Sequence, residues 1–305
     1  MLKTAIIGMG RWGQTLVDSV QGRNDAGIRF VSGCTGRPER AQEWAARQGV
    51  RILADFDAVL ADPEVQAVAI ASPHKIHADQ VIAAARAGKH VFVEKPFTLT
   101  KESAAAAVAA CQEAGVVMAL GHNRRFLPAV AEMKRMIAAG EIGTILHLEG
   151  QFSGPSASAF KPGMWRADRS ESPLGGMGGM GIHMVDMMVN LAGPIAEVTC
   201  TSVARALDNG LDDTTAALFR FASGATGTFA TLALAPRMWR VGVFGSDAWV
   251  VLHGHENLTT CTRDGTPQER VFPKTDIEAA ELEAFAAAVA GGPTYPLPLD
   301  EAIHG

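Results

Sequence analysis

The strongest constraint on how this chain folds is the alternation of short apolar runs with single amphipathic helices over its first 123 residues. "KTAIIG" reads as a strand and "RWGQTLVDSV" as a helix; "IRFVSGC" is a second strand, and "PERAQEWAARQ" a helix with Pro38 in its first turn. "DFDAVLAD" predicts a short helix capped by Asp55, followed by the strand "VQAVAIAS" and the helix "HADQVIAAARAG". "HVFVEK", "KESAAAAVAACQEAG" and "VVMALG" continue the series as strand, helix and strand. Strands separated by single helices build a parallel sheet through right-handed crossovers. Their nearly unbroken apolar character fits a doubly wound α/β sheet covered on both faces. The first domain is therefore expected to span 1–123.

The remainder, 124–305, has a different rhythm and is expected to form a second, α+β domain. A helix pattern, "PAVAEMKRMIAAG", precedes the strand "TILHLEGQF"; a Gly/Ser/Pro-rich stretch at 153–181 and the helix "IHMVDMMVNLAG" follow. Five strand-like runs then succeed one another without helices, which predicts an open, mostly antiparallel sheet. Helices would cover one face, and the other is available to a second subunit. The long stretch at 153–181 is of a length that usually carries function.

Composition narrows the classes. A net charge of −5 offers no basic field for nucleic acid, and no apolar run is long enough to span a bilayer. Cys34, Cys111, Cys200 and Cys261 lack redox or metal spacing, so no metal is expected and a reducing cytoplasmic setting fits.

"GMGRWG" places Gly8, Gly10 and Gly13 in dinucleotide-binding spacing between a strand and a helix. The first glycine permits the turn, the second lets a pyrophosphate approach and the third lets helix pack on strand; Arg11 and Trp12 complete the candidate loop. An NAD site normally has an acidic residue at the end of the second strand to hold the ribose. Here no Asp or Glu lies between Asp25 and Glu39, and the segment "CTGRPER" supplies Thr35 and Arg37 instead. A hydroxyl and a guanidinium accommodate a 2′-phosphate, so NADP(H) is favoured over NAD(H).

Ligands of a doubly wound sheet lie beyond the carboxyl ends of its strands. "HVFVEKPF" delivers Glu94 and Lys95 to that edge, and "SPHKIH" delivers Ser72, Pro73 and His77. A lysine there can hydrogen-bond the oxygen that gains or loses a proton as hydride moves, and a cis Lys95–Pro96 bond suits the turn. In the second half, five glycines within Gly175–Gly181 lead into a helix whose first turn holds His183, a candidate acid/base. Asp186 and Asn190 lie on the same helix face. Asn123, Arg124, Trp165 and Arg166 are further substrate-binding candidates, the arginines fitting a carboxylate or phosphate.

These segments together, "GMGRWG", "SPHKIHADQVIAAARAGKHVFVEKPFTLT" and "GIHMVD", resemble the glucose–fructose oxidoreductase/inositol dehydrogenase/MocA (Gfo/Idh/MocA) family over nearly the whole chain. The resemblance implies an N-terminal Rossmann domain and a C-terminal open sheet that makes homodimers or homotetramers. It implies an oxidoreductase of sugars, cyclic polyols and related rings, with Lys95 the catalytic lysine, Glu94 its neighbour, His183 the catalytic histidine, and Ser72, Pro73 and His77 in the loop beside nicotinamide and ribose. Trp165 and Arg166 match a pair seen in many relatives, and at "PLDEAIHG" relatives continue into a further helix, so the C-terminus is expected to be truncated. One position departs: the family commonly has an aspartate four residues before the histidine, and this chain has Gly179. Two readings therefore stand, an NADP(H)-preferring dehydrogenase or reductase and a non-catalytic dinucleotide- and metabolite-binding regulator.

Overall fold

The computed structural model describes residues 1–161 and 163–305 and divides into two compact units, residues 1–123 with 276–304 and residues 124–275 with Gly305.

In the first unit, β1 (Leu2–Ile7), α1 (Arg11–Val20), β2 (Ile28–Cys34), α2 (Gln42–Gln48), β3 (Arg51–Ile52), α3 (Phe56–Ala61), β4 (Ala67–Ile70), α4 (His77–Arg86), β5 (His90–Glu94), α5 (Lys101–Glu113) and β6 (Met118–Gly121) follow in order. All six strands pair in parallel, in the order β3-β2-β1-β4-β5-β6. The order runs outward in both directions from the β1/β4 pair, so right-handed crossovers place helices on both faces. β4 and β6 are buried at every position, which explains their continuous apolar sequence. Asp55 caps α3, its carboxylate accepting the Ala58 N–H at 2.8 Å, a contact of about 1 kcal/mol. The expected helix at "PERAQEWAARQ" is split: Pro38–Arg40 form a 3₁₀ turn, and α2 begins only at Gln42.

The second unit contains α6 (Pro128–Ala138), β7 (Ile145–Ser153), α7 (Ile182–Ala192), β8 (Ile195–Val203), β9 (Thr214–Phe221), β10 (Thr226–Leu232), β11 (Met238–Gly245), β12 (Ala248–His253), β13 (Asn257–Thr262) and β14 (Gln268–Val271). Among the described residues its eight strands run β14-β13-β12-β11-β7-β10-β9-β8, and only β7 and β10 pair in parallel. The sheet is mostly antiparallel because its strands follow one another through short turns, whereas β7 enters before α7 and is met by β10 from the same direction. α7 packs on β7 and β11. Fully buried Met184, Met187 and Met188 fill the space beneath, close over Gly150 and Gly227, where side chains would collide with them.

The expected second domain of 124–305 requires correction. α8 (Ile277–Val289) and α9 (Leu299–His304) belong to the first unit. α8 packs on α1, β2 and β5, burying Ile277, Leu282 and Phe285; the Phe285 ring lies 5.9 Å from that of Phe92 on β5. α9 covers α5 and β6, and Tyr295 donates its hydroxyl to the Leu120 carbonyl at 3.0 Å. The helices of the first 123 residues leave part of the parallel sheet uncovered, and the returning chain buries it.

Candidate active site

The glycine turn lies at the point where the strand order reverses. Gly8 has φ +95°, and its N–H donates to Cys34 O at 2.9 Å. A Cβ on Gly8 would meet Ala71 O at 2.6 Å, and one on Gly13 would run into Gly8 O, so both are glycine for lack of room. Gly10 differs: its Cβ position faces open space. Among the described residues no side chain caps α1, and its first turn holds no acidic residue. The N-terminal N–H groups and positive dipole end are thus left for an anion, and the loop fits a dinucleotide pyrophosphate. Trp12 follows at once, half-buried. At the end of β2, Thr35 is half-buried and Arg37 exposed.

The β5 edge carries the charged pair. Lys95–Pro96 is cis, as the sequence led us to expect. Glu94 is buried, and its Oε2 accepts the Lys95 N–H at 3.2 Å. Burial pushes the Glu94 carboxyl up to about 7; the Lys95 charge, the Trp12 indole and the Lys95 N–H pull it back, and Glu278 adds to the rise. The Trp12 indole stops short of hydrogen-bond geometry, leaving its Nε1 and Glu94 Oε1 as buried atoms with no partner among the described residues. In the loop after β4, the Ser72 hydroxyl donates to Gln80. His77 is 1% exposed, with Nδ1 at 2.9 Å from Pro96 O and Nε2 at 3.0 Å from Ser72 O. The structure therefore brings Gly8, Ser72, Pro73, His77, Glu94 and Lys95 to one edge of the parallel sheet. Asn123, expected to hold substrate, is buried and donates to Glu278 of α8 at 3.0 Å. Glu278 was not anticipated; the Asp276 cap before "IEAAELEAFAAAV" was the signal for its helix.

The second unit carries the histidine. Gly176 O accepts from Met180 and Gly181, and a π turn over Met177–Gly181 runs directly into α7. His183 is buried in the first turn of α7. Arg124 places Nη1 3.0 Å from His183 Nε2 and stacks on Phe152, its guanidinium carbon 4.9 Å from that ring. A guanidinium has no acceptor, so Nε2 is the acceptor and the ring is neutral with its proton on Nδ1. Asp186, a substrate-side candidate from the sequence, is engaged with a neighbouring arginine. It grips Arg125 through two nitrogens, at 3.0 and 2.7 Å, and both side chains are almost fully buried. Breaking such a pair from one side costs about 3–5 kcal/mol. Asn190 accepts from Lys134 at 2.8 Å. The exposed Arg166 stacks on the half-buried Trp165, its guanidinium carbon 4.1 Å from the ring centroid. His255 was not foreseen as part of this set. It packs edge-on against Trp239 at 5.5 Å, and burial, then the Arg124 charge, lowers its pKa.

A parallel Rossmann sheet with an intact glycine turn, joined to an open antiparallel sheet, defines a class: two-unit NAD-binding oxidoreductases. Residues 2–122 match the model of an oxidoreductase family with an NAD-binding Rossmann fold, and residues 130–251 match the GFO/IDH/MocA C-terminal domain. Scyllo-inositol 2-dehydrogenase (NAD(+)) of Bacillus subtilis is 33% identical over 96% of this chain and 87% of its own. Levoglucosan dehydrogenase of Pseudarthrobacter phenanthrenivorans is 33% identical over 77% of this chain, a match spanning 62% of that relative's length. A solved levoglucosan dehydrogenase in complex with NADH superposes with a TM-score of 0.87 at 26% identity, covering 99% of this chain and 93% of that one. The chain belongs to the Gfo/Idh/MocA family, whose sugar- and polyol-dehydrogenase members are its relatives.

Proposed function

We propose that this protein is an NADP(H)-preferring oxidoreductase that moves hydride between its dinucleotide and a secondary alcohol or ketone of a sugar, cyclic polyol or carboxylated ring. The observation that carries the reading is the single sheet edge holding both the glycine turn at Gly8 and the Lys95 turn. When bound, the dinucleotide supplies hydride acceptance or donation. Gly8, Gly10, Arg11, Trp12 and Gly13 cradle its pyrophosphate, with Ser72, Pro73, His77 and Glu94 along the nicotinamide side. Lys95 Nζ holds the substrate oxygen and its proton, and His183 Nε2 relays that proton once Arg124 turns its N–H to a substrate oxygen. Trp165 and Arg166 shape the substrate side.

The cofactor preference rests on Thr35 and Arg37, where a carboxylate would repel a 2′-phosphate. Fluorescence titration of the purified protein with NADPH and NADH tests it. NADPH should bind at least about tenfold more tightly, the scale of one charge-assisted hydrogen bond; equal or inverted affinities sink the preference and leave the oxidoreductase reading intact. Lys95→Ala should abolish turnover on a responsive polyol while NADPH still binds, and unchanged turnover rejects the assigned role. Gly179 keeps the regulatory reading alive: tight NADPH binding with no turnover across sugars, inositols and ring acids would favour it. The free cysteines fit the cytoplasmic setting we expect.

A further inference from the structure

The His77 ring poses a counting problem. Nδ1 lies 2.9 Å from Pro96 O, Nε2 lies 3.0 Å from Ser72 O, and the ring is buried. Neither carbonyl has a hydrogen to give. A neutral imidazole carries one N–H, so one lone pair would face another at a buried site. Only the doubly protonated ring donates to both.

The surroundings pull both ways. Burial and the N-terminal end of α4 disfavour a cation there. The ionisable groups around it are His74, whose ring meets it edge-on at 5.8 Å, Lys75 and Asp79 on the same stretch, and Glu94 and Lys95 at the end of β5. The acids favour the charge and the bases oppose it. Two charge-assisted bonds of good geometry tip the balance, because loss of one proton removes one of them, weakens the other and sets a bare ring nitrogen against a carbonyl oxygen.

We propose that His77 is held as an imidazolium that clamps the Lys95–Pro96 turn to the loop after β4 and positions Lys95. The second half of this statement rests on the reading of Lys95 given above. His77 touches the carbonyl next to Lys95, and its charge opposes a second cation there, so it eases loss of the lysine proton. It is a positioning residue.

Two measurements on the intact protein without dinucleotide test this. Histidine ¹⁵N resonance, with the His77 signals assigned by their loss in His77→Gln, reads the charge directly. Both ring nitrogens should remain protonated above about pH 7.5, roughly one unit beyond an ordinary histidine. One bare nitrogen at neutral pH overturns the proposal. For the positioning role, lysines are reductively methylated with ¹³C and the Lys95 signal is titrated. Its midpoint should rise by about half a pH unit or more in His77→Phe and return part way in His77→Gln, which keeps one donor. An unmoved midpoint overturns the role; if His77→Phe does not fold, His77→Gln alone decides, by a smaller rise or none. Neither readout needs cofactor or turnover, so failure of the enzyme reading and failure of the clamp are told apart.

Discussion

At the scale of single residues, the informative position is Gly179, one turn before His183. Among the described residues its Cβ direction meets no atom within 4 Å, unlike Gly181, where a side chain would strike Met177. A side chain at 179 is therefore tolerated, and its absence is not forced by packing. Gly179→Asp should fold with a thermal midpoint within a few degrees of the parent, since an unstrained surface-scale change is worth about 0.5 kcal/mol. It should raise turnover on inositols by supplying a carboxylate beside His183; a folded variant with unchanged or lower turnover counts against that role. The Arg124–His183 bond belongs to the same scale. Residue type alone put both near the chemistry, while the assignment of their protons needed the 3.0 Å approach of Arg124 Nη1 to His183 Nε2.

Among elements, the segment between β8 and β9 is organised by one carboxylate. Asp213 Oδ2 accepts the N–H groups of Arg205, Ala206 and Leu207 at 2.9, 2.6 and 2.8 Å, and Oδ1 accepts the Thr214 hydroxyl. Burial pushes this acid up, but the donors outweigh it and hold it at about 2. A carboxyl depressed below its unfolded value stabilises the fold above the unfolded pKa of about 3.9, and that stability is lost as pH falls toward the folded value. Asp213→Asn should therefore lower the thermal midpoint at neutral pH by a few degrees, on the order of 2 kcal/mol, and remove most of the difference between pH 4 and pH 2. Equal acid sensitivity in both proteins would assign the loss to other carboxylates. Both aspartates of "NGLDDTT" are buried, and nothing in that local pattern announces that Asp213 rather than Asp212 gathers the loop N–H groups, because three donors from a loop converge only after folding.

For the whole molecule, the face of the large sheet away from α7 is open and partly apolar. Leu218 is 60% exposed, and by strand register it shares this face with Leu232, Phe244 and Trp249 and with the Glu149–Arg240 ion pair. We expect homodimers or homotetramers through this face. Light scattering should give a multiple of the 32.1 kDa chain, and Leu218→Arg should reduce it. A monomer at micromolar concentration, or an unaltered oligomer in the variant, removes the sheet face from the interface. The returning helices α8 and α9 also belong to this scale. Removing them would expose Phe92 and the surface of α1, so the first unit depends on residues 276–304.

Sequence alone determined the parallel sheet, the glycine turn, the open antiparallel sheet and the edge that presents Lys95. Each of these is local: periodicity, glycine spacing and a strand ending in charge follow from neighbouring residues along the chain. Tertiary structure decided what depends on distant partners. Asp186 went to Arg125, Asn123 to Glu278, and both faces of His77 to carbonyls on separate loops, since a buried polar group takes whichever partner the fold brings near. The final helices likewise joined the first unit because its sheet still had apolar surface to bury.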